Sequence, residues 1–206
     1  LNPALVDIGA GTSDIAITKD GSITSYSMVA FAGDKLTEAL SQKYLLDFDT
    51  AEKIKTKLSV ENEHSFLDIV GIEHKQSTEE VMIGLKDVLD ELTMRIADSI
   101  RECNSKTPSA VFCIGGSSKI PGLKKAISEK LELPIERVVI KSTEDLINVE
   151  FVNKEMLGPE YVTPLGIGYT AYKDKEQDFL KVTVNDKLVR LFKSRELSVS
   201  DALLLV

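Results

Sequence analysis

The stretch Leu5-Val6-Asp7-Ile8-Gly9-Ala10-Gly11-Thr12-Ser13-Asp14-Ile15-Ala16-Ile17 decides how this chain is read. An apolar run (Ala4, Leu5, Val6) leads into Asp7, a turn follows at Gly9–Ser13, and an alternating strand with Ile15 and Ile17 leaves from Asp14. Glycines let such a turn adopt φ > 0 and let backbone N–H groups approach an anion with no Cβ in the way. Thr12 and Ser13 add hydroxyl donors. Two carboxylates beside a bound phosphate would repel it unless a cation stood between them, so Asp7 and Asp14 point to a hydrated Mg²⁺ held through water. The same residues also describe a glycine-rich hairpin whose aspartates only satisfy turn N–H groups.

Working outward, residues 4–8, 13–18 and 22–30 read as three consecutive strands, with Lys19-Asp20-Gly21-Ser22 as the second turn. A helix over 34–44 follows, with Leu36, Ala39, Leu40 and Tyr44 on one face. Asp49 or Thr50 caps the next helix, whose inner face is Ala51, Ile54 and Leu58, with Glu52, Lys53, Lys55 and Lys57 in solvent. Residues 59–76 are polar with one strand candidate, 66–70. Ser77 and Glu80 form a capping box that opens a long helix to about Cys103, with Val81, Leu85, Val88, Leu89, Leu92, Ile96 and Ile100 as its core stripe. Asn104–Pro108 breaks it. Residues 109–114 form a continuous apolar run, as in a buried parallel strand, and lead through Gly115–Gly122 into a helix at 122–132. Val138–Ile140 is a short strand, and a last helix starts at Thr163 with Pro164 in its first turn. This order resembles a ribonuclease-H-like α/β layer carrying a helical insertion over about 34–105.

Residues 173–178 read as a charged linker. Beyond them, 179–184 and 187–192 flank Asn185-Asp186 as a hairpin, and Ser198 or Ser200 caps a helix through Val206. This ββα start resembles a β-grasp fold. The expected domains are therefore 1–174 and 175–206.

Composition narrows the functional classes. A formal charge of -8 over 206 residues supplies no basic stripe for nucleic acid. The sequence is 43% hydrophobic and 28% charged, enough apolar material for a core, yet without an eighteen-residue apolar run or a signal-peptide pattern. Cys103 and Cys113 lack metal-ligand spacing and read as reduced, buried cysteines of a cytosolic protein. His64 and His74 lie in a charged stretch and read as surface residues. The absence of an initiator Met reads as a fragment or a processed chain.

Two further elements fit nucleotide binding. A Gly115-Gly116 pair after a buried strand lets a base or ribose lie against backbone, though the same pair also makes an ordinary tight strand–helix turn. Glu52 and Lys55, one helical turn apart, suit a ribose or adenine edge and equally suit a solvated surface pair. Gly33, opening its helix, can bring backbone near a phosphate.

Taken in order, the Asp7–Asp14 hairpin, Ala32-Gly33-Asp34, Ala51-Glu52-Lys53-Ile54-Lys55 and Gly115-Gly116-Ser117-Ser118-Lys119-Ile120-Pro121-Gly122 resemble the second lobe of the actin-like ATPase superfamily. The resemblance covers about residues 4–172. Ala32-Gly-Asp-Lys-Leu-Thr-Glu-Ala-Leu40 and Thr163-Pro-Leu-Gly-Ile-Gly-Tyr-Thr-Ala171 are most similar to bacterial cell-division FtsA and PilM proteins. The resemblance implies ATP or ADP with Mg²⁺ as cofactors. Asp7 and Asp14 would hold the cation through water, and Gly9, Gly11, Thr12 and Ser13 the phosphates. Glu52 and Lys55 would contact ribose and adenine, Gly115, Gly116 and Ser117 would cradle the adenosine, and Lys119 would stand near the base.

In such proteins the nucleotide lies between two lobes, and this sequence holds no second Asp-x-Gly hairpin. The resemblance therefore implies half an active site, with a first lobe of the same protein, filament self-assembly or a cell-division partner as the associations. It also implies a cytoplasmic location, with the intact protein peripheral to the inner membrane face. A heat-shock-chaperone ATPase lobe and a sugar-kinase-type phosphotransferase lobe share these motifs, as would a scaffold that has kept the fold without hydrolysis. The charged linker at 173–178 weighs against the chaperone.

Overall fold

The computed structural model describes residues 1–104, 106–147, 149–150, 156–176, 179–192 and 198–203. The chain divides into two compact units, Leu1–Thr163 and Pro164–Val206.

The first unit is built on a five-stranded sheet. It opens with β1 (Ala4–Ile8), β2 (Ser13–Lys19) and β3 (Ser22–Val29). Next come α1 (Gly33–Tyr44), α2 (Phe48–Lys57), a small hairpin of β4 (Glu63–Leu67) and β5 (Glu73–Ser77), and α3 (Thr78–Cys103). β6 (Val111–Ile114), α4 (Leu123–Leu131) and β7 (Val138–Ile140) complete the layer. The strand order is β3-β2-β1-β6-β7, with β1–β2 and β2–β3 antiparallel and β1–β6 and β6–β7 parallel. Each parallel step needs a crossover, and α4 supplies the one between β6 and β7. The α/β fold is as expected.

Period-two alternation drives Ala4, Val6, Ile8, Ile15 and Ile17 into the core. The helical stripe of α3 (Val81, Leu85, Leu89, Leu92, Ile96 and Ile100) covers them and is buried throughout. The Ser77–Glu80 capping box is formed, with Ser77 Oγ accepting from Glu80 N and Glu80 accepting from Ser77 N.

Several local expectations are corrected. Because α3 packs on β2 and β3 as the crossover between β3 and β6, it belongs to the main layer. The strand expected at 66–70 lies at Glu63–Leu67 and has a partner, β5, that its polar sequence concealed. α2 is capped earlier than expected, by Asp47, whose carboxylate accepts from Thr50 N. His64 is buried and shares a 2.8 Å hydrogen bond with Thr78 Oγ1, so it is not a surface residue. His74 is partly covered, stacked on Phe66 at 5.5 Å and hydrogen-bonded to Asp68 at 3.0 Å.

The second unit contains most of α5 (Val162–Glu176), an antiparallel hairpin of β8 (Phe179–Val184) and β9 (Lys187–Phe192), and α6 (Val199–Leu203). The ββα order agrees with the sequence reading. The segment expected to be a linker continues α5 through Glu176, while 177–178 and the expected helix end at 204–206 lie outside the described residues, as does Ser105 of the expected helix break. Asn185 and Asp186 take φ of 50° and 63°, the left-handed pair of a two-residue hairpin turn. Among the described residues no helix is long and apolar enough to cross a membrane.

Candidate functional site

A cleft of about 410 Å³ opens where the β1–β2 turn, α2 and the turn after β6 converge. It is lined by Asp7, Gly9 and Ala10, by Glu52, Lys55, Thr56 and Ser59, and by Gly115, Gly116, Ser117, Lys119, Ile120 and Glu160. Eight of the residues singled out in the sequence therefore share one wall system, although they come from three distant segments.

The carbonyl of Gly9 is the node that joins them. It accepts from Gly33 N at 3.1 Å and from Ser117 Oγ at 2.8 Å. The neighbouring Ala10 carbonyl accepts from Asp34 N at 2.8 Å. The hairpin turn is thereby fastened to the start of α1 and to the 3₁₀ turn Gly116–Lys119 that follows β6. Gly33 must be glycine for this approach, because a Cβ there would stand 2.2 Å from Ser117 Oγ and 3.0 Å from Lys55 Nζ. Gly115, at φ +83°, has the same constraint: a Cβ there would meet Asp7 Oδ1 at 2.4 Å.

Lys55 was expected in solvent and is instead 5% exposed, since α2 turns it inward onto the start of α1. Its ammonium donates to Gly33 O at 3.2 Å and pairs with Glu52 Oε2 at 2.6 Å. Glu52 Oε2 also accepts from Thr37 Oγ1 at 2.5 Å. A buried charge needs such partners, and here they fix both ends of the Glu52–Lys55 pair against the cleft.

Five expected residues do not line the cleft. Ser13 is fully buried and donates to Phe31 O at 2.9 Å, because strand alternation turns it to the core with Ile15; its hydroxyl is not a phosphate donor. Gly33 lies beneath the turn with its N–H already given to Gly9. Gly11 sits at the exposed turn tip. Thr12 donates to Asp14 Oδ2 at 3.2 Å, and Asp14 also accepts from the Tyr26 hydroxyl, which raises the Tyr26 pKa above its ordinary value.

Asp7 and Asp14 are Cα partners across β1–β2, so their side chains leave the sheet on the same face. The hydrogen bonds made to the two carboxylates come from hydroxyls: Thr163 to Asp7 Oδ2 at 2.6 Å, and Thr12 and Tyr26 to Asp14. Like charges placed opposite one another are unfavourable, and a hard cation between two oxygen donors offsets this. Among the described residues no three acidic, histidine or cysteine side chains gather as a direct metal cage.

Glu160 and Thr163 were not foreseen. Lys119, expected near a base, is held by Glu160 Oε1 at 2.9 Å. Glu160 reaches it because Gly115 N donates to Pro159 O, which seats the 159–163 segment on the glycine turn. Glu160 carries no spacing signal, and Thr163 reads only as a helix start in a family-like stretch, so their contacts in the cleft come from tertiary geometry.

A five-stranded layer of this order, with a glycine hairpin and a second glycine turn meeting over an inserted helix, defines the actin-like ATPase fold. Solved structures agree. The chain is similar to the PilM–PilN type IV pilus biogenesis complex, with a TM-score of 0.63 and 19% identity over 82% of this chain and 45% of that one. It is also similar to MreB5 of Spiroplasma citri bound to AMPPNP, with a TM-score of 0.57 and 21% identity over 85% of this chain and 54% of that one. The family itself follows from sequence. The profile of the cell division protein FtsA matches residues 4–166, and the chain belongs to the FtsA family. Cell division protein FtsA of Pseudomonas aeruginosa is 25% identical over 197 residues, which cover 90% of this chain and 45% of that protein. The chain thus spans about half the length of the relatives it matches. These matches do not favour the chaperone alternative.

Proposed function

We propose that this chain is the second, nucleotide-binding lobe of an FtsA-type cell-division or assembly protein, and that its cleft takes ATP or ADP with Mg²⁺. The observation that supports the reading is the linked junction in which Gly9 O accepts from Gly33 N and Ser117 Oγ while Lys55 donates to Gly33 O, beside one cleft of about 410 Å³. In this reading the backbone of Gly9 and Gly11, with Thr12, faces the phosphates. Asp7 and Asp14 hold the cation through water, and that cation, when bound, neutralises charge on the phosphate oxygens. Glu52 and Lys55 present a carboxylate and an ammonium to ribose and base; Gly116, where a Cβ would meet nothing nearer than Glu160 Cβ at 3.8 Å, leaves room for a flat ring against the backbone, and Gly115 makes the tight turn beside it. Lys119 and Glu160 stand at the rim as a closed ion pair.

A first lobe of the same protein would complete the site, and nucleotide would favour lobe closure and self-assembly or a cell-division partner. The location that goes with this is the cytoplasm, peripheral to the inner membrane face. Calorimetry with the full-length protein tests the reading. Mg²⁺-ATP binding that Asp7→Ala weakens at least tenfold is expected; absence of any ATP binding by the unaltered protein would sink it.

A further inference from the structure

We propose that Thr163 is a positioning residue for the cation end of the cleft, fixing which oxygen of Asp7 is presented to a hydrated divalent ion. The inference rests on the nucleotide reading above and gives a role to Thr163, which in the sequence marks only the start of a helix and of a family-like stretch. Three observations carry it. Thr163 Oγ1 donates to Asp7 Oδ2 at 2.6 Å, and it is the donor that reaches this carboxylate from outside the hairpin. The other oxygen, Oδ1, lies over Gly115, where a Cβ would stand only 2.4 Å away, so the carboxylate is closed in from that side by the glycine turn. The segment carrying Thr163 is itself seated on that turn, through Gly115 N donating to Pro159 O at 3.0 Å, and Tyr161 N donating to Gly158 O at 3.3 Å tightens the segment internally. Asp7 is thus held between the turn after β6 and Thr163.

The physical consequence is orientation without neutralisation. A lysine or arginine in place of Thr163 would compete with the cation for the carboxylate charge. A hydroxyl supplies one directional bond and leaves the full negative charge for an ion. Asp14 is treated alike, by Thr12 and Tyr26 hydroxyls. Partners that orient a metal-facing carboxylate are worth about 10- to 100-fold in metal affinity. Water-mediated contact places Thr163 at the lower end of that range.

The test is Mg²⁺ titration of ATP binding, by calorimetry or a fluorescent ATP analogue, on the full-length protein and its Thr163→Val, Thr163→Ser and Asp7→Ala variants. ADP binding in EDTA serves as the metal-free control. The proposal expects Thr163→Val to need about tenfold more Mg²⁺ for half-maximal ATP binding, with metal-free ADP binding unchanged. Thr163→Ser should restore the unaltered curve. A Thr163→Val curve within twofold of the unaltered one, while Asp7→Ala still shifts it, overturns the positioning role and leaves the nucleotide reading standing. Equal losses with and without Mg²⁺ mark damage to the start of α5 and also overturn it. Unaltered protein that binds no ATP at all overturns both.

Discussion

Gly33 and Ser117 lie so close that any Cβ on Gly33 would stand 2.2 Å from the Ser117 hydroxyl oxygen. Carbonyl oxygen of Gly9 and the Lys55 ammonium complete the crowd, each 3.0 Å from the same point. Lys55 and Ser117 are both held by other bonds, so neither can simply swing aside. Gly33→Ala should therefore cost about 1–3 kcal/mol, the usual penalty for overpacking. Gly11→Ala is the control, because its nearest contact would be Asp34 Oδ2 at 3.9 Å. Chemical denaturation of the two variants should separate them, and equal midpoints would show that the junction yields.

Crowding alone does not decide such cases. A Cβ on Gly84, inside α3, would fall 1.9 Å from Lys43 Nζ, nominally a worse clash. Lys43 is an exposed, flexible side chain, so it can leave. Replacing a helix-interior glycine by alanine is worth up to about 1 kcal/mol. Gly84→Ala is thus expected to leave the melting temperature unchanged or raise it, and a clear fall in Tm would mean that Lys43 is anchored more firmly than its exposure indicates.

Most of the layer could be read in advance, because its elements obey period rules that act locally. β1 and β7 fall where their apolar runs put them, and α3 starts at its capping box. The hairpin β4–β5 was half missed because Glu73–Ser77 is polar throughout and its pairing depends on register with β4. Site residues divided the same way. Gly9, Gly115 and Gly116 sit on turns that their glycines announce, Asp7 lies in the strand leading into the first of them, and all four line the cleft. Lys55 looked wet because helical periodicity knows nothing of Gly33, against which it is buried. Ser13 looked like a phosphate donor until strand alternation turned it to Phe31. Glu160 and Thr163 needed the fold itself.

Cys113 stands fully buried on β6, and burial pushes its thiol pKa up to about 12. Only the thiolate reacts with alkylating or disulfide reagents. At pH 8 Cys113 should therefore resist iodoacetamide and thiol–disulfide reagents in the folded protein and react once denaturant is added. Peptide mapping after timed labelling checks this, with Cys103, partly exposed at the end of α3, as the internal comparison. Native-state labelling of Cys113 at the rate of an exposed thiol would contradict the placement of β6 in the interior of the layer, between β1 and β7.

The β4–β5 hairpin should be locally acid-sensitive. Asp68 accepts from His74 Nε2 at 3.0 Å, from Ile72 N at 2.9 Å and from Val70 N at 3.0 Å. The His74 contact first, and then these backbone donors, hold its carboxyl below the usual carboxylate range. A group whose folded pKa is depressed contributes stability above its unfolded pKa, about 3.9 for Asp, and loses it as pH falls through the folded value. The contribution should be complete at pH 5 and above and decline below about pH 4. Hydrogen exchange of the Val70 and Ile72 amides gives a local readout, with protection expected to fall in that window. Asp68→Asn keeps the shape but removes the titration, so its protection should be lower at pH 5 and nearly flat towards acid. A variant that loses protection over the same acid range as the unaltered protein would show that some other carboxylate controls the hairpin.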